Sequence, residues 1–105
     1  MPLRHILASA TALVLCLATP VLAADHAVEI RNMSFSVPAL EVAVGDTVTF
    51  TNSDAAPHTA TAKDGSFDTG RLTKGQSATV TITGAGTFDY FCTFHPMMKA
   101  TIVAQ

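Results

Sequence analysis

The chain has 105 residues, six of them Lys or Arg and eight Asp or Glu, for a formal net charge of −2. A mildly acidic chain with no basic cluster excludes a nucleic-acid binder. Its two cysteines, Cys16 and Cys92, are too few for a fold built on disulfides.

Met1 to Ala23 reads as a cleaved signal peptide. Arg4 and His5 supply the polar start, Leu13-Val14-Leu15-Cys16-Leu17-Ala18 the apolar run, and Val21-Leu22-Ala23 the small-residue cleavage signal. The run is too short to span a bilayer as a helix, and it inflates the apolar fraction of the whole chain. Cys16 is an apolar filler of this leader, because bulky Leu15 precedes it where a lipid-modified cysteine follows a small residue. Residues 24–105 then form one small domain. Losing Arg4 leaves five basic against eight acidic residues, a charge of −3. The exported domain keeps only Cys92, so it has no internal disulfide, and a lone thiol in an oxidising compartment needs a task.

Ala27 to Arg31 is a short alternating run, and Asn32 to Val37 continues it until Pro38. Leu40, Val42 and Val44 alternate with Glu41 and Ala43. Gly45-Asp46 is a turn, and Thr47-Val48-Thr49-Phe50-Thr51 follows as the second arm of an expected hairpin. Asn52 to Pro57 is a loop by composition, and His58 to Ala62 resumes an extended run. Phe67 to Gly75 is irregular. Ser77 to Thr83 reads as a strand with Ala78, Val80 and Ile82 inward. After Gly84-Ala85-Gly86, the two-residue period puts Phe88, Tyr90 and Cys92 on one face. Lys99 to Val103 is the last strand. With no helical period of useful length, the pattern predicts an all-β sandwich of seven or eight strands.

The stretch Tyr90-Phe91-Cys92-Thr93-Phe94-His95-Pro96-Met97-Met98 carries the chemistry. Cysteine, histidine and methionine at three-residue spacing form a soft donor set, which favours copper over hard cations. Pro96 cannot donate to a sheet ladder, so the segment after Cys92 must loop, and a tight loop can bring His95 and Met98 back toward the sulfur. His58 reaches the same point from another element. Two histidines, one cysteine and one methionine are the inventory of a blue-copper electron-transfer site. Met97 competes with Met98, and spacing favours Met98. Met97, Pro96, Phe94 and Pro57, with Met33 a further candidate, would form an apolar docking patch around His95. His26 reads as a solvated tail residue or, with Asp25, as an adventitious copper ligand.

Gly84 to Met98 resembles the C-terminal ligand loop of the cupredoxins, with the short Cys-x-x-His-x-x-Met spacing of the amicyanin branch. Val44 to Asn52, followed by Pro57-His58, resembles the family's first-ligand region. The resemblance covers most of residues 24–105 and implies a Greek-key sandwich holding one mononuclear type 1 copper. His58, Cys92 and His95 would be the strong equatorial ligands and Met98 the weak axial one. It further implies a monomeric periplasmic carrier of single electrons, with an amine dehydrogenase or a c-type cytochrome as partner and no enzymatic activity. Two residues depart from the family pattern. Thr59 stands where an Asn commonly ties the two ligand loops, which predicts a looser tie. Phe94 stands where a proline is frequent, and its N–H is expected to bond the Cys92 sulfur and raise the reduction potential.

A different function uses the same donors: a copper-binding chaperone or buffer that delivers the metal from a more open site. The small number of methionines, placed at ligand-loop positions, speaks for the carrier. An enzyme fits least, since one mononuclear site leaves no catalytic dyad beyond the ligands themselves.

Overall fold

The computed structural model describes residues 22–105. The charged start of the expected leader, its apolar run and Cys16 lie outside the described residues. Among the described residues there are no helices, and so none long and apolar enough to cross a membrane.

Eight strands form two four-stranded sheets. They are β1 (Asp25–Arg31), β2 (Ser34–Phe35), β3 (Ala39–Val42), β4 (Thr47–Asn52), β5 (Thr61–Ala62), β6 (Ser77–Thr81), β7 (Gly86–Phe91) and β8 (Lys99–Ala104). One sheet runs β2-β1-β4-β6 and the other β3-β8-β7-β5. Both are mixed, with β1 parallel to β4 and β3 parallel to β8. The all-β sandwich and the strand number agree with the sequence pattern.

Alternation explains the layers. Val28 and Ile30 of β1, Val48 and Phe50 of β4, and Ala100, Ile102 and Ala104 of β8 are buried at two-residue steps. Between the sheets lies an aromatic cluster. Tyr90 meets Phe35 edge-on at 4.7 Å and Phe50 at 5.4 Å, and Phe67 stacks on Phe50 at 6.2 Å. Such pairs add about 0.5–1.5 kcal/mol beyond their burial.

The fold corrects two local readings. Leu40–Val44 and Thr47–Thr51 are not a hairpin. Val42 pairs with Ala104 in one sheet, while Thr47 pairs with Asp25 and Thr81 in the other. Val42 of the first run and Val48 and Phe50 of the second reach one core from opposite sheets, while Val44 is exposed, and Gly45, at φ 95°, lies where the chain passes from one sheet to the other. Asn32 and Met33 do not continue a strand. Both take left-handed backbone angles, φ 53° and 59°, and turn β1 back onto β2. The irregular stretch from Phe67 to Gly75 adds Phe67 and Leu72 to the core.

Candidate metal centre

Four candidate donors come from two places in the chain. His58 lies between β4 and β5. A two-way backbone pair with Leu72 fixes it: His58 N–H donates to the Leu72 carbonyl at 3.0 Å, and Leu72 N–H returns the bond at 2.8 Å. Cys92 follows β7 directly. Its loop closes through three backbone bonds, from Cys92 N–H to the Met98 carbonyl (3.1 Å), His95 N–H to the Cys92 carbonyl (3.2 Å) and Met98 N–H to the His95 carbonyl (2.9 Å). Seven consecutive residues are thus tied into a rigid turn that returns His95 and Met98 toward Cys92.

The Nδ1 atoms of His58 and His95 each lie 3.7 Å from Cys92 Sγ. The donor atoms of the three residues all fall within 4.8 Å of one another. A first-row ion bound to sulfur at about 2.3 Å and to nitrogen at about 2.0 Å, in one plane at trigonal angles, requires a sulfur–nitrogen separation of about 3.7 Å. Both separations meet that requirement. The site is dry on one side, with His58 and Cys92 fully buried and His95 half-buried. Met98 is buried, whereas Met97 is 91% exposed, so burial separates the two methionines as spacing does.

Each donor has an outer partner. His58 Nε2 lies 2.9 Å from Asp54 Oδ2. Asp54 also accepts the N–H of Asn32 at 2.8 Å and of Met33 at 2.9 Å. These bonds, led by that from Met33, hold its carboxyl below the usual carboxylate range. An ionised carboxylate only accepts, so Nε2 carries the proton and Nδ1 is left with a lone pair facing the sulfur. Asn52, fully buried at the end of β4, holds this loop together. Its amide donates to the carbonyls of Ala56 (2.9 Å) and Leu72 (2.8 Å), and its Oδ1 accepts Asp54 N–H (2.9 Å).

The backbone donor to the sulfur is Thr59, whose N–H lies 3.3 Å from Cys92 Sγ. Phe94 makes no such bond among the described residues. It is half exposed, on the solvent side of the turn, which corrects the expectation drawn from its position. Nor are the two ligand loops loosely tied. Thr59 Oγ1 accepts Thr93 N–H at 2.9 Å and lies within hydrogen-bond reach of the Thr61 and Thr93 hydroxyls. A threonine thus makes the bridge expected of an asparagine. The sequence reading missed Asp54 and Asn52 because Asn52-Ser53-Asp54 has the composition of an ordinary loop. The available signal was a carboxylate four residues before a candidate ligand.

A cupredoxin-like domain matches residues 5–104. The chain is a member of the cupredoxin family. It is 40% identical over 83 residues to amicyanin from Paracoccus denitrificans, a match covering 74% of this chain and 63% of that protein's length. It is 33% identical over 96 residues to amicyanin from Paracoccus versutus, covering 82% of this chain and 73% of that protein. The copper(I) structure of an amicyanin point mutant superposes with a TM-score of 0.73 at 37% identity, over 82% of this chain and 87% of that one. For a cupredoxin, the donors gathered here, with two imidazoles, one thiolate and one thioether, fit a single type 1 copper.

Proposed function

We propose that the protein carries single electrons between redox partner proteins through a type 1 copper held by His58, Cys92, His95 and Met98. The observation that carries this reading is the pair of 3.7 Å separations between Cys92 Sγ and the two imidazole Nδ1 atoms inside a closed backbone turn. Copper, when bound, supplies the one-electron couple. The chain supplies the rest. The Leu72 pairing, the Asp54 carboxylate and the turn after Cys92 hold the donors where one geometry serves both oxidation states, which keeps reorganisation small. Burial of His58 and Cys92 excludes water and exogenous ligands. Such a closed site weighs against copper delivery, which needs an opening for exchange.

His95 is the donor nearest solvent. Met33, Pro96 and Met97 line the shallow apolar hollow beside it, and Phe94 is exposed next to it in the loop. This is the surface through which a partner, an amine dehydrogenase or a c-type cytochrome, would exchange the electron. The protein acts as a monomer in the periplasm after cleavage behind Ala23, with residues 24–105 as its single domain.

Reconstitution of the exported chain with Cu(II) tests the centre. The expected result is an intense blue absorption with a narrow parallel hyperfine splitting in EPR, lost in Cys92→Ser. A pale product with wide splitting overturns the assignment. Rapid transfer to a c-type cytochrome, slowed by Met97→Glu without a change in the blue band, tests the docking surface.

A further inference from the structure

We infer that the mature N-terminus, Ala24-Asp25-His26, is a second metal site that takes square-planar Cu(II) or Ni(II) through nitrogen donors. This rests on the proposed cleavage behind Ala23. The sequence supplies the ligands. A free α-amine, two backbone amides and an imidazole on the third residue offer four nitrogens in fused five-, five- and six-membered chelate rings. The second and third residues must each carry an N–H to lose, and neither Asp25 nor His26 is a proline. A plane of nitrogen donors selects Cu(II) and Ni(II) among the first-row ions. Binding releases the protons of the amine and the two amides to solvent.

The structure prepares this arrangement from the other side, through Asp46. His26 Nε2 lies 2.8 Å from Asp46 Oδ2, and Ala24 N lies 2.9 Å from Asp46 Oδ1, so one carboxylate gathers both ends of the tripeptide. The Asp46 carboxyl is held down to about 2, chiefly by His26 and then by the N–H groups of Ala24 and Ala43, and is ionised at any working pH. An ionised carboxylate forces the proton onto His26 Nε2. Nδ1 is thereby the ring nitrogen turned to the metal, the one that closes the six-membered ring. A ligand imidazole that donates its other N–H to a carboxylate is the usual way a protein orients a metal-binding histidine.

Within the sheet the segment is held from the β4 side, by ladder pairing and by the Asp25 carboxylate, which accepts the Thr47 and Thr49 hydroxyls. Residues 22–25 are exposed, and β2 pairs only with Ile30 and Arg31, so the first residues of β1 have a neighbour on the β4 side alone. Chelation moves the amine off Asp46, opens the bond from Thr47 N–H to the Ala24 carbonyl and lifts Asp25 and His26 out of their pairing with Thr47 and Val48, while the His26–Asp46 contact stays. The site is distinct from the copper centre. It sits at the Thr47 end of β4, whereas the His58 loop leaves from Asn52, about 17 Å away at the rise of a strand.

Ni(II) added to the blue protein, loaded with copper and then cleared of loosely held Cu(II) on a chelating resin until only the type 1 copper remains, reads this site alone, since the type 1 centre is already filled. The full chain is exported and processed in a bacterial host, and its mass fixes the terminus. The expected result is one further equivalent of diamagnetic Ni(II) with a square-planar visible spectrum. It is lost in His26→Gln and in a chain with one alanine inserted between Ala23 and Ala24, both still blue. A mass showing another terminus overturns the processing and the site with it. The correct mass without a further equivalent of Ni(II) overturns the site alone. Equal binding by the alanine-extended chain overturns the chelate and assigns the ion to the His26 and Asp46 side chains.

Discussion

Replacing Asn52 by alanine gives the sharpest test of how the fold holds the first ligand. The Asn52 side chain makes three hydrogen bonds of 2.8–2.9 Å inside the protein, to Ala56, Leu72 and Asp54. Each neutral buried bond is worth about 1 kcal/mol net. The Leu72 carbonyl keeps the His58 N–H, but the Asp54 amide and the Ala56 carbonyl lose a partner. Asn52→Ala therefore removes about 3 kcal/mol. For a domain of this size that corresponds to a fall in Tm of about 12–24 °C. Urea unfolding of the metal-free protein is the assay, because bound copper would add its own stabilisation by mass action. Asn52→Asp is equally damaging, since a carboxylate cannot donate to either carbonyl. A metal-free Asn52→Ala protein within about 1 kcal/mol of wild type would refute the reasoning.

Tyr90→Phe goes the other way. Tyr90 Oη is buried with no hydrogen-bond partner among the described residues, so its removal leaves metal-free stability unchanged or raised by about 1 kcal/mol in urea unfolding. Burial also pushes the phenol pKa up, so wild type loses stability as pH climbs beyond the ordinary value of about 10 and the Phe variant does not. Asp46 has its folded pKa lowered from 3.8 to about 2, so its contribution is complete above 3.8 and lost as pH falls through about 2. Thermal melts of Asp46→Asn against wild type therefore differ at neutral pH and converge across that acid window. Thr59→Val removes the acceptor of Thr93 N–H and loosens the Thr59 amide over the sulfur. Voltammetry is expected to show a lower reduction potential, because a thiolate relieved of a donor stabilises the oxidised metal, with Thr59→Ser restoring it.

The sandwich was legible because burial imposes a two-residue period on β4, β6, β7 and β8 whatever their partners are. What the period cannot convey is which sheet a strand joins. Leu40–Val44 and Thr47–Thr51 alternate as hairpin arms would, yet they pair with β8 and with β1 and β6 respectively. The loop after Cys92 was legible because its donors are rare residue types packed into seven positions. The supports of His58 were not, because Asn52 and Asp54 act through bonds to atoms distant in sequence and carry no compositional mark. The solvated-tail reading of His26 fails for a related reason. Nothing near it in the chain shows that Asp46, twenty residues later, draws it into β1.

Asp54 joins the metal centre to the docking surface. One of its oxygens accepts Asn32 N–H, and the other takes Met33 N–H and faces His58 Nε2. Two successive left-handed residues direct their N–H groups to one side and make a concavity for an anion. For Met33 that backbone conformation costs about 1–3 kcal/mol and persists only where surroundings enforce it. The carboxylate is the enforcing group. The same turn sets the Met33 side chain beside His95, Pro96 and Met97. The orientation of one ligand and the shape of the contact surface therefore depend on a single side chain. Asp54→Ala should release both together. Amide exchange at Asn32 and Met33 in the metal-free protein is expected to rise well above wild type, while exchange in β7 and β8 stays slow. Unchanged protection at Met33 would show that β1–β2 pairing alone holds the turn, and that the carboxylate serves only His58.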